Sequence, residues 1–131
     1  MRGMNDKTEL RTVKLVRQIG ADVDWKTRQN KQFIEAILAL KNKDEAKRFL
    51  RDLMTPQEIE EFANRLEAAS LLSSDMQYNY ITETTGLSST TIARIAKWLN
   101  GSLGGYRLIL SRLHSHNSSS FGKGLSLRAK V

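Results

Sequence analysis

The chain has 131 residues, of which 40% are hydrophobic and 27% are charged, and its formal net charge is +7, a composition typical of one globular domain with a modest core. The absence of cysteine excludes a disulfide framework, a thiol nucleophile and a cysteine-based zinc site. No apolar run approaches the roughly 18–20 residues of a membrane span and the N-terminus does not resemble a signal peptide, so we expect a cytoplasmic protein without a membrane partner.

Apolar residues at helical spacing predict an all-α fold. A single proline and long segments rich in Leu, Ala, Glu, Lys and Arg agree with this prediction. In chain order, the predicted helices cover residues 7–19 (ended by Gly20), 27–41, 44–53, 56–72, about 75–84, about 89–100 and 106–113. We divide the chain into an N-terminal arm and linker over 1–26, a helical domain over 27–113 and a disordered basic tail over 114–131.

The start of the fourth predicted helix carries the clearest local signal. Thr55 suits the N-cap position, Pro56 the first helical position and Glu58 the third. Threonine and glutamate at this spacing form a capping box, in which each side chain accepts a hydrogen bond from the other residue's backbone N–H. We expect the following helix to be capped in the same general way by the sequence SSD at 73–75.

The fifth and sixth predicted helices are short and are joined by a glycine, which is the pattern of a DNA-reading helix-turn-helix. The turn needs a residue that tolerates a positive φ, and Gly86 supplies it. Apolar residues surround this glycine at the spacing that packs two such helices together. The predicted core of the motif is Ile81, Gly86, Leu87, Ile92 and Ile95.

The other side of the sixth predicted helix is polar, with hydroxyl groups at its start and two cations behind them. Hydroxyl groups donate and accept, threonine methyl groups can contact thymine, and free N–H groups at a helix start attract phosphate. The alternatives are that Ser88 is only an N-cap and that the other residues are a solvated surface. The residues that we predict to contact DNA are Ser88, Ser89, Thr90, Thr91, Arg94 and Lys97.

The distribution of charge agrees with a nucleic-acid partner. Residues 27–74 carry no net charge, whereas residues 75–113 carry +2 and residues 114–131 carry +3. The N-terminal arm over 1–26 adds another +2. A neutral body with a basic surface is typical of proteins that bind double-stranded DNA.

Three segments together resemble the Trp repressor superfamily, and in particular its YerC/YecD-type branch. They are FIEAILALKNKDEAKRFLRDLMTPQE, ITETTGLSSTTIARIAKWLN and GGYRLILSRL, and the resemblance covers about residues 27–113. It implies an intertwined, all-helical homodimer with two helix-turn-helix heads on a pseudo-palindromic site, in a bacterial, nucleoid-associated regulator. The apolar helices at 27–41 and 44–53 agree with a homodimer, although they could instead close onto the core of their own subunit.

The resemblance also implies where a tryptophan ligand would lie. Thr55, Arg65 and Arg94 match ligand-binding residues of Trp repressor. Ile95, however, stands where a glycine leaves space for the indole, and Trp98 stands where a serine lies at the amino-acid group. These two large side chains either hold the heads in place without a ligand or are ordinary core residues. Both interpretations predict that tryptophan is not bound, and they leave any other small-molecule effector unknown.

The sequence does not support an enzyme. His114 and His116 lack a third ligand, and we expect neither a metal nor another cofactor. A phosphate-binding glycine loop, an activated nucleophile and a pair of carboxylates in a plausible pocket are all missing from the sequence. The best-supported function is a sequence-specific transcriptional regulator. The alternatives are a helix-turn-helix-fold adaptor that binds a protein partner and a non-specific nucleic-acid binder.

Overall fold

The computed structural model describes residues 22–129, and the side chains of residues 22–117. Over this range the chain forms helices and no strand, which confirms the all-α fold class. The predicted helix over 7–19 lies outside the described residues. The helices are α1 Arg28–Ala39, α2 Lys43–Leu53, α3 Pro56–Ser73, α4 Tyr78–Thr85, α5 Ser89–Leu99 and α6 Gly105–Ala129.

The chain divides into two compact units between Arg48 and Phe49, inside α2. In the first unit, the Thr27 hydroxyl begins α1 by accepting a 3.2 Å hydrogen bond from the backbone N–H of Asn30. Neither α1 nor α2 contains a buried residue, although both carry large apolar side chains at helical spacing. These two helices therefore present apolar surface that the described part of the chain leaves uncovered.

The second unit is built around α3, which packs against α4, α5 and α6. Ala68 and Ala69 of α3 are fully buried. Their small side chains allow the neighbouring helices to approach α3 closely. The buried apolar core of the described residues consists of Ala68, Ala69, Ile81, Ile92, Ile95, Leu99 and Leu110.

The start of α3 is the capping box that the sequence predicts. The Thr55 hydroxyl accepts a 3.2 Å hydrogen bond from the Glu58 N–H, and the Glu58 carboxylate accepts a 3.1 Å hydrogen bond from the Thr55 N–H. Pro56 occupies the first turn, where its missing N–H costs nothing. These two hydrogen bonds confirm the predicted capping box. The prediction succeeds because a capping box depends only on local sequence.

The start of α4 differs from its prediction. The helix begins at Tyr78 rather than near residue 75, and its N-cap Gln77 makes no side-chain capping bond. Asp75 adopts a positive φ of 61°, a left-handed conformation that cannot continue into a right-handed helix. Ser74 instead ends α3, donating its backbone N–H to the Ser70 and Leu71 carbonyls. The prediction that residues 73–75 cap the next helix is therefore wrong.

The last helix also differs from its prediction. The Ser- and Gly-rich composition after His114 predicted a disordered tail, but the backbone is helical from Gly105 to Ala129. Extending an existing helix costs little per residue, since the unfavourable step is starting one. The described backbone thus continues as a helix past His114, and the division of the chain at that residue stays a prediction. None of the described helices is long and apolar enough to cross a membrane.

Candidate nucleic-acid interface

The connection between α4 and α5 is a tight turn at Gly86. Its φ is +71°, and its N–H donates a 2.9 Å hydrogen bond to the Thr82 carbonyl. The buried hydroxyl of Thr85 donates to the Ile81 carbonyl at 2.7 Å and accepts from the Leu87 N–H at 3.3 Å. Because a Cβ at Gly86 would meet no atom within 4 Å, a substitution there is opposed by backbone strain and not by a clash.

One side of α5 is held against the core. Ile92 and Ile95 are fully buried together with Ile81 of α4, and Leu87 in the turn is half-buried against the same core. Burial of these side chains fixes the rotation of α5 about its own axis. The opposite side of the helix must therefore face solvent.

The first turn of α5 is capped by Ser88. Its Oγ accepts a 3.2 Å hydrogen bond from the Thr91 N–H and lies 3.0 Å from Thr91 Oγ1. Thr91 is half-buried. The structure thus places two of the six predicted DNA contacts, Ser88 and Thr91, in a local capping arrangement, which was the alternative interpretation of Ser88.

The other four predicted contacts lie on the exposed side of α5. Thr90, Arg94 and Lys97 are four and three residues apart, so they share one side of the helix. Each is exposed, and Ser89 beside them is exposed as well. The N–H groups at the start of the helix have no intrahelical acceptor. The outward side of α5 therefore combines hydroxyl groups at a helix start with two cations.

Two of the three residues that match ligand-binding residues of Trp repressor, Thr55 and Arg65, are engaged in other contacts. The Thr55 hydroxyl belongs to the capping box of α3. Arg65 Nη2 lies 2.7 Å from Glu61 Oε1, and its guanidinium carbon lies 5.4 Å from the centre of the Phe62 ring. Arg65 Nε is buried and has no hydrogen-bond partner. Burial raises the pKa of Tyr106, and the nearby Arg65 charge opposes this shift.

Ile95 and Trp98, which the resemblance places together at the ligand position, have different surroundings in the single chain. Ile95 is a core residue with no exposed surface, whereas the Trp98 side chain is 51% exposed. Each residue advances the helix by about 100°. Trp98 therefore points about 100° away from Leu99, whose side chain is buried in the core. The prediction that Ile95 and Trp98 stand where a tryptophan ligand would lie, between the head and the dimer core, stays a prediction; within the single chain, Ile95 is the buried one of the two.

Sequence reasoning missed Arg107, which lies in α6 and contacts α5. Its Nη1 donates a hydrogen bond to the Leu99 carbonyl at the end of α5. The two residues are eight apart and are separated by a loop, so no helical spacing signals the contact. Among the described residues, no group of three or more His, Asp or Glu side chains could hold a metal ion.

Comparison with known proteins gives a consistent result. Residues 28–114 match the family model described as Trp repressor protein. The uncharacterized protein YerC of Bacillus subtilis (strain 168) is 37% identical over 92 residues, which cover 70% of this chain and 88% of YerC.

Two crystal structures have similar folds. A TrpR-like protein from Eubacterium eligens ATCC 27750 is 39% identical, with a TM-score of 0.66, covering 69% of this chain and 93% of its own. A Trp-repressor-type protein from Staphylococcus aureus is 28% identical, with a TM-score of 0.65, covering 71% and 96%. The family match over residues 28–114 includes α1–α5 and the first turns of α6.

Proposed function

The chain belongs to the Trp repressor family, and we propose that it is a sequence-specific DNA-binding transcriptional regulator that acts as a homodimer without tryptophan. In this proposal α4 and α5 are the two helices of a helix-turn-helix, and α5 is the recognition helix that enters the major groove. The N-terminal half of α5, together with Lys97 on the same side of the helix, contacts bases and phosphates. No catalytic step is part of the proposal.

The observation that carries the proposal is the contrast between the two sides of α5. Its inward side is fixed by buried Ile92 and Ile95, whereas Thr90, Arg94 and Lys97 point away from the core and are exposed. Arginine can donate two hydrogen bonds to a guanine edge, and the threonine methyl group can contact thymine. The rigid placement of such side chains is what base recognition requires.

A salt titration combined with site selection tests this function. We expect an enriched duplex sequence, and an affinity for it that falls linearly in log salt, with a slope of about −0.9 per phosphate neutralised. A protein-binding adaptor would show no measurable duplex affinity. A non-specific nucleic-acid binder would show the salt dependence with no enriched sequence. Either result would contradict the proposal.

We predict that the protein is a homodimer. The helix α1 exposes Phe33, Ile34 and Ile37 by 40% or more, and nothing in the described chain covers them. Association that buries these side chains removes apolar area from water, which stabilises the dimer. Sedimentation at low micromolar concentration should give roughly twice the 14.9 kDa of one chain.

A charge placed on this apolar surface provides the matched test of the dimer. Ile37→Glu should shift the protein toward the monomer because a carboxylate would have to be buried without a partner. Glu35→Gln, on an exposed position of the same helix, should leave the dimer intact. A wild-type monomer that unfolds cooperatively would contradict the intertwined arrangement.

We predict that DNA binding is independent of tryptophan. Ile95 is part of the core, the Thr55 hydroxyl is used in a capping box, and Arg65 is paired with Glu61. A free amino acid would therefore have to displace packed or paired groups. Calorimetry should detect no heat on adding L-tryptophan, and the affinity for the selected duplex should be the same with and without it. Saturable tryptophan binding would refute this prediction.

A further inference from the structure

The last carbonyl groups of α5 are satisfied by a set of local hydrogen bonds and by one contact from another helix. Asn100 Nδ2 donates to the Ala96 carbonyl at 3.0 Å, and the Gly101 N–H donates to the Trp98 carbonyl at 3.1 Å. The Leu99 carbonyl accepts from Arg107 Nη1 of α6. Helix ends leave their final carbonyls without intrahelical donors, so this arginine completes the end of α5 from outside.

The backbone beside Arg107 is shaped to let the guanidinium approach. Gly104 has a φ of +71°, and a Cβ built on it would lie 3.1 Å from Arg107 Nη2. A side chain at this position would therefore meet both backbone strain and a close contact. Gly104 lies at the end of the loop, and Arg107 reaches across this loop to the end of α5. We call the group formed by the Leu99 carbonyl, Gly104 and Arg107 the Arg107 clamp.

The charge of Arg107 matches its surroundings. Arg107 lines a cleft of about 330 Å³ together with residues at the C-terminal ends of both α3 and α5. Helix C-termini carry partial negative charge, so a cation is stabilised where two of them meet. The cleft is lined by Ser73, Ser74, Leu99, Arg107, Leu110, Ser111 and His114.

We propose that Arg107 is a positioning residue for DNA recognition, whose guanidinium fixes the angle of α5 by holding its C-terminal carbonyl against α6. The inference rests on the proposed function. The clamp acts at the end of α5 opposite to the exposed hydroxyl group of Ser89, about 15 Å away at 1.5 Å per residue. Loss of the clamp lets α5 tilt about its buried residues, which displaces the base-contacting end of the helix.

The competing explanation is that Arg107, an exposed cation, contacts a DNA phosphate directly. The two roles differ in their salt dependence. Removing a phosphate contact lowers the salt slope by about one unit, whereas loosening the helix leaves the number of neutralised phosphates unchanged. The two roles also make different predictions for the free protein, because a phosphate contact exists only with DNA whereas the clamp holds the end of α5 in its absence.

The experiment compares Arg107→Ala, Arg107→Lys and the control Arg112→Ala in the full chain, with Arg112 an exposed arginine on the same helix. Each variant is titrated with the selected duplex at several salt concentrations, well below its unfolding midpoint. Amide hydrogen exchange of the free proteins is followed at Asn100 and Gly101. Arg107→Ala should weaken binding about tenfold at every salt concentration and speed exchange at both amides by a similar factor.

Arg107→Lys should recover most of both effects, because lysine keeps a charged donor for the same carbonyl. Arg112→Ala should leave exchange at these amides unchanged. A salt slope lowered by about one unit in Arg107→Ala, with normal exchange, would assign Arg107 to phosphate and overturn the inference. Unchanged exchange and affinity would overturn it as well. Absence of duplex binding by the unmodified protein would overturn the proposed function, while the exchange measurement still decides whether the clamp exists.

Discussion

Ile95→Ala should lower the free energy of unfolding by about 2–5 kcal/mol, the range for truncating a fully buried isoleucine. Ile95 has no exposed surface and belongs to the core formed by α3–α6. Truncation removes apolar contacts and leaves a cavity beside the small side chains of Ala68 and Ala69, which cannot extend to fill it. Chemical denaturation followed by circular dichroism measures the change.

The control for this prediction is Lys97→Ala, two residues further along the same helix. Lys97 is exposed, and surface substitutions of this kind change the free energy of unfolding by no more than about 0.5 kcal/mol. If Ile95→Ala unfolds at the same denaturant concentration as the wild type, the core is not packed as described. The proposal that buried Ile95 orients the recognition helix without a ligand would then also be contradicted.

Burial of Ile95 has a functional consequence. In a regulator whose heads are set by a ligand, the space beside the recognition helix is empty until the ligand arrives. In our proposal Ile95 fills the corresponding position, and its side chain is fully buried. The packing that orients α5 then forms as the chain folds, which supports the proposal that its affinity for DNA does not depend on tryptophan.

Local sequence predicted those parts of the fold that depend on neighbouring residues. The capping box of Thr55 and Glu58 lies within one turn, and both of its hydrogen bonds form. The positions of Ile81 and Ile92 follow from helical spacing around Gly86, and both side chains are buried. The boundaries of α1, α2 and α5 lie within a few residues of their predicted limits. These features need no information about distant contacts.

Features that depend on tertiary contacts were not predicted correctly or at all. Asp75 looked like part of a helix cap, but its left-handed conformation belongs to the turn that follows α3. The resemblance placed Trp98 beside Ile95 at the ligand position, whereas in the single chain Ile95 and Leu99 are buried and Trp98 is half-exposed. The contact of Arg107 with α5 depends on how α6 packs, which a pattern within one helix does not contain.

Arg94→Ala should weaken binding to the selected duplex by about 1–3 kcal/mol, roughly five- to 150-fold, without unfolding the protein. Arg94 is exposed, lies one turn after Thr90, and points away from buried Ile95. Its side chain can therefore reach the groove without disturbing the core. Competition titrations against duplexes with one altered base pair measure the loss, and Arg112→Ala on α6 is the charge-matched control.

The pattern of the loss identifies what Arg94 contacts. If it donates two hydrogen bonds to a guanine, the loss is confined to one base position, and Arg94→Lys restores it poorly because lysine lacks the planar fork. If it holds a phosphate, the loss is spread evenly over sequences, the salt slope falls by about one unit, and lysine restores most of the affinity. We expect the first pattern, since Arg94 lies beside the exposed hydroxyl group of Thr90 and not at the end of α5. An unchanged affinity for the selected duplex would remove Arg94 from the interface, and with it the main cation of the proposed base-reading surface.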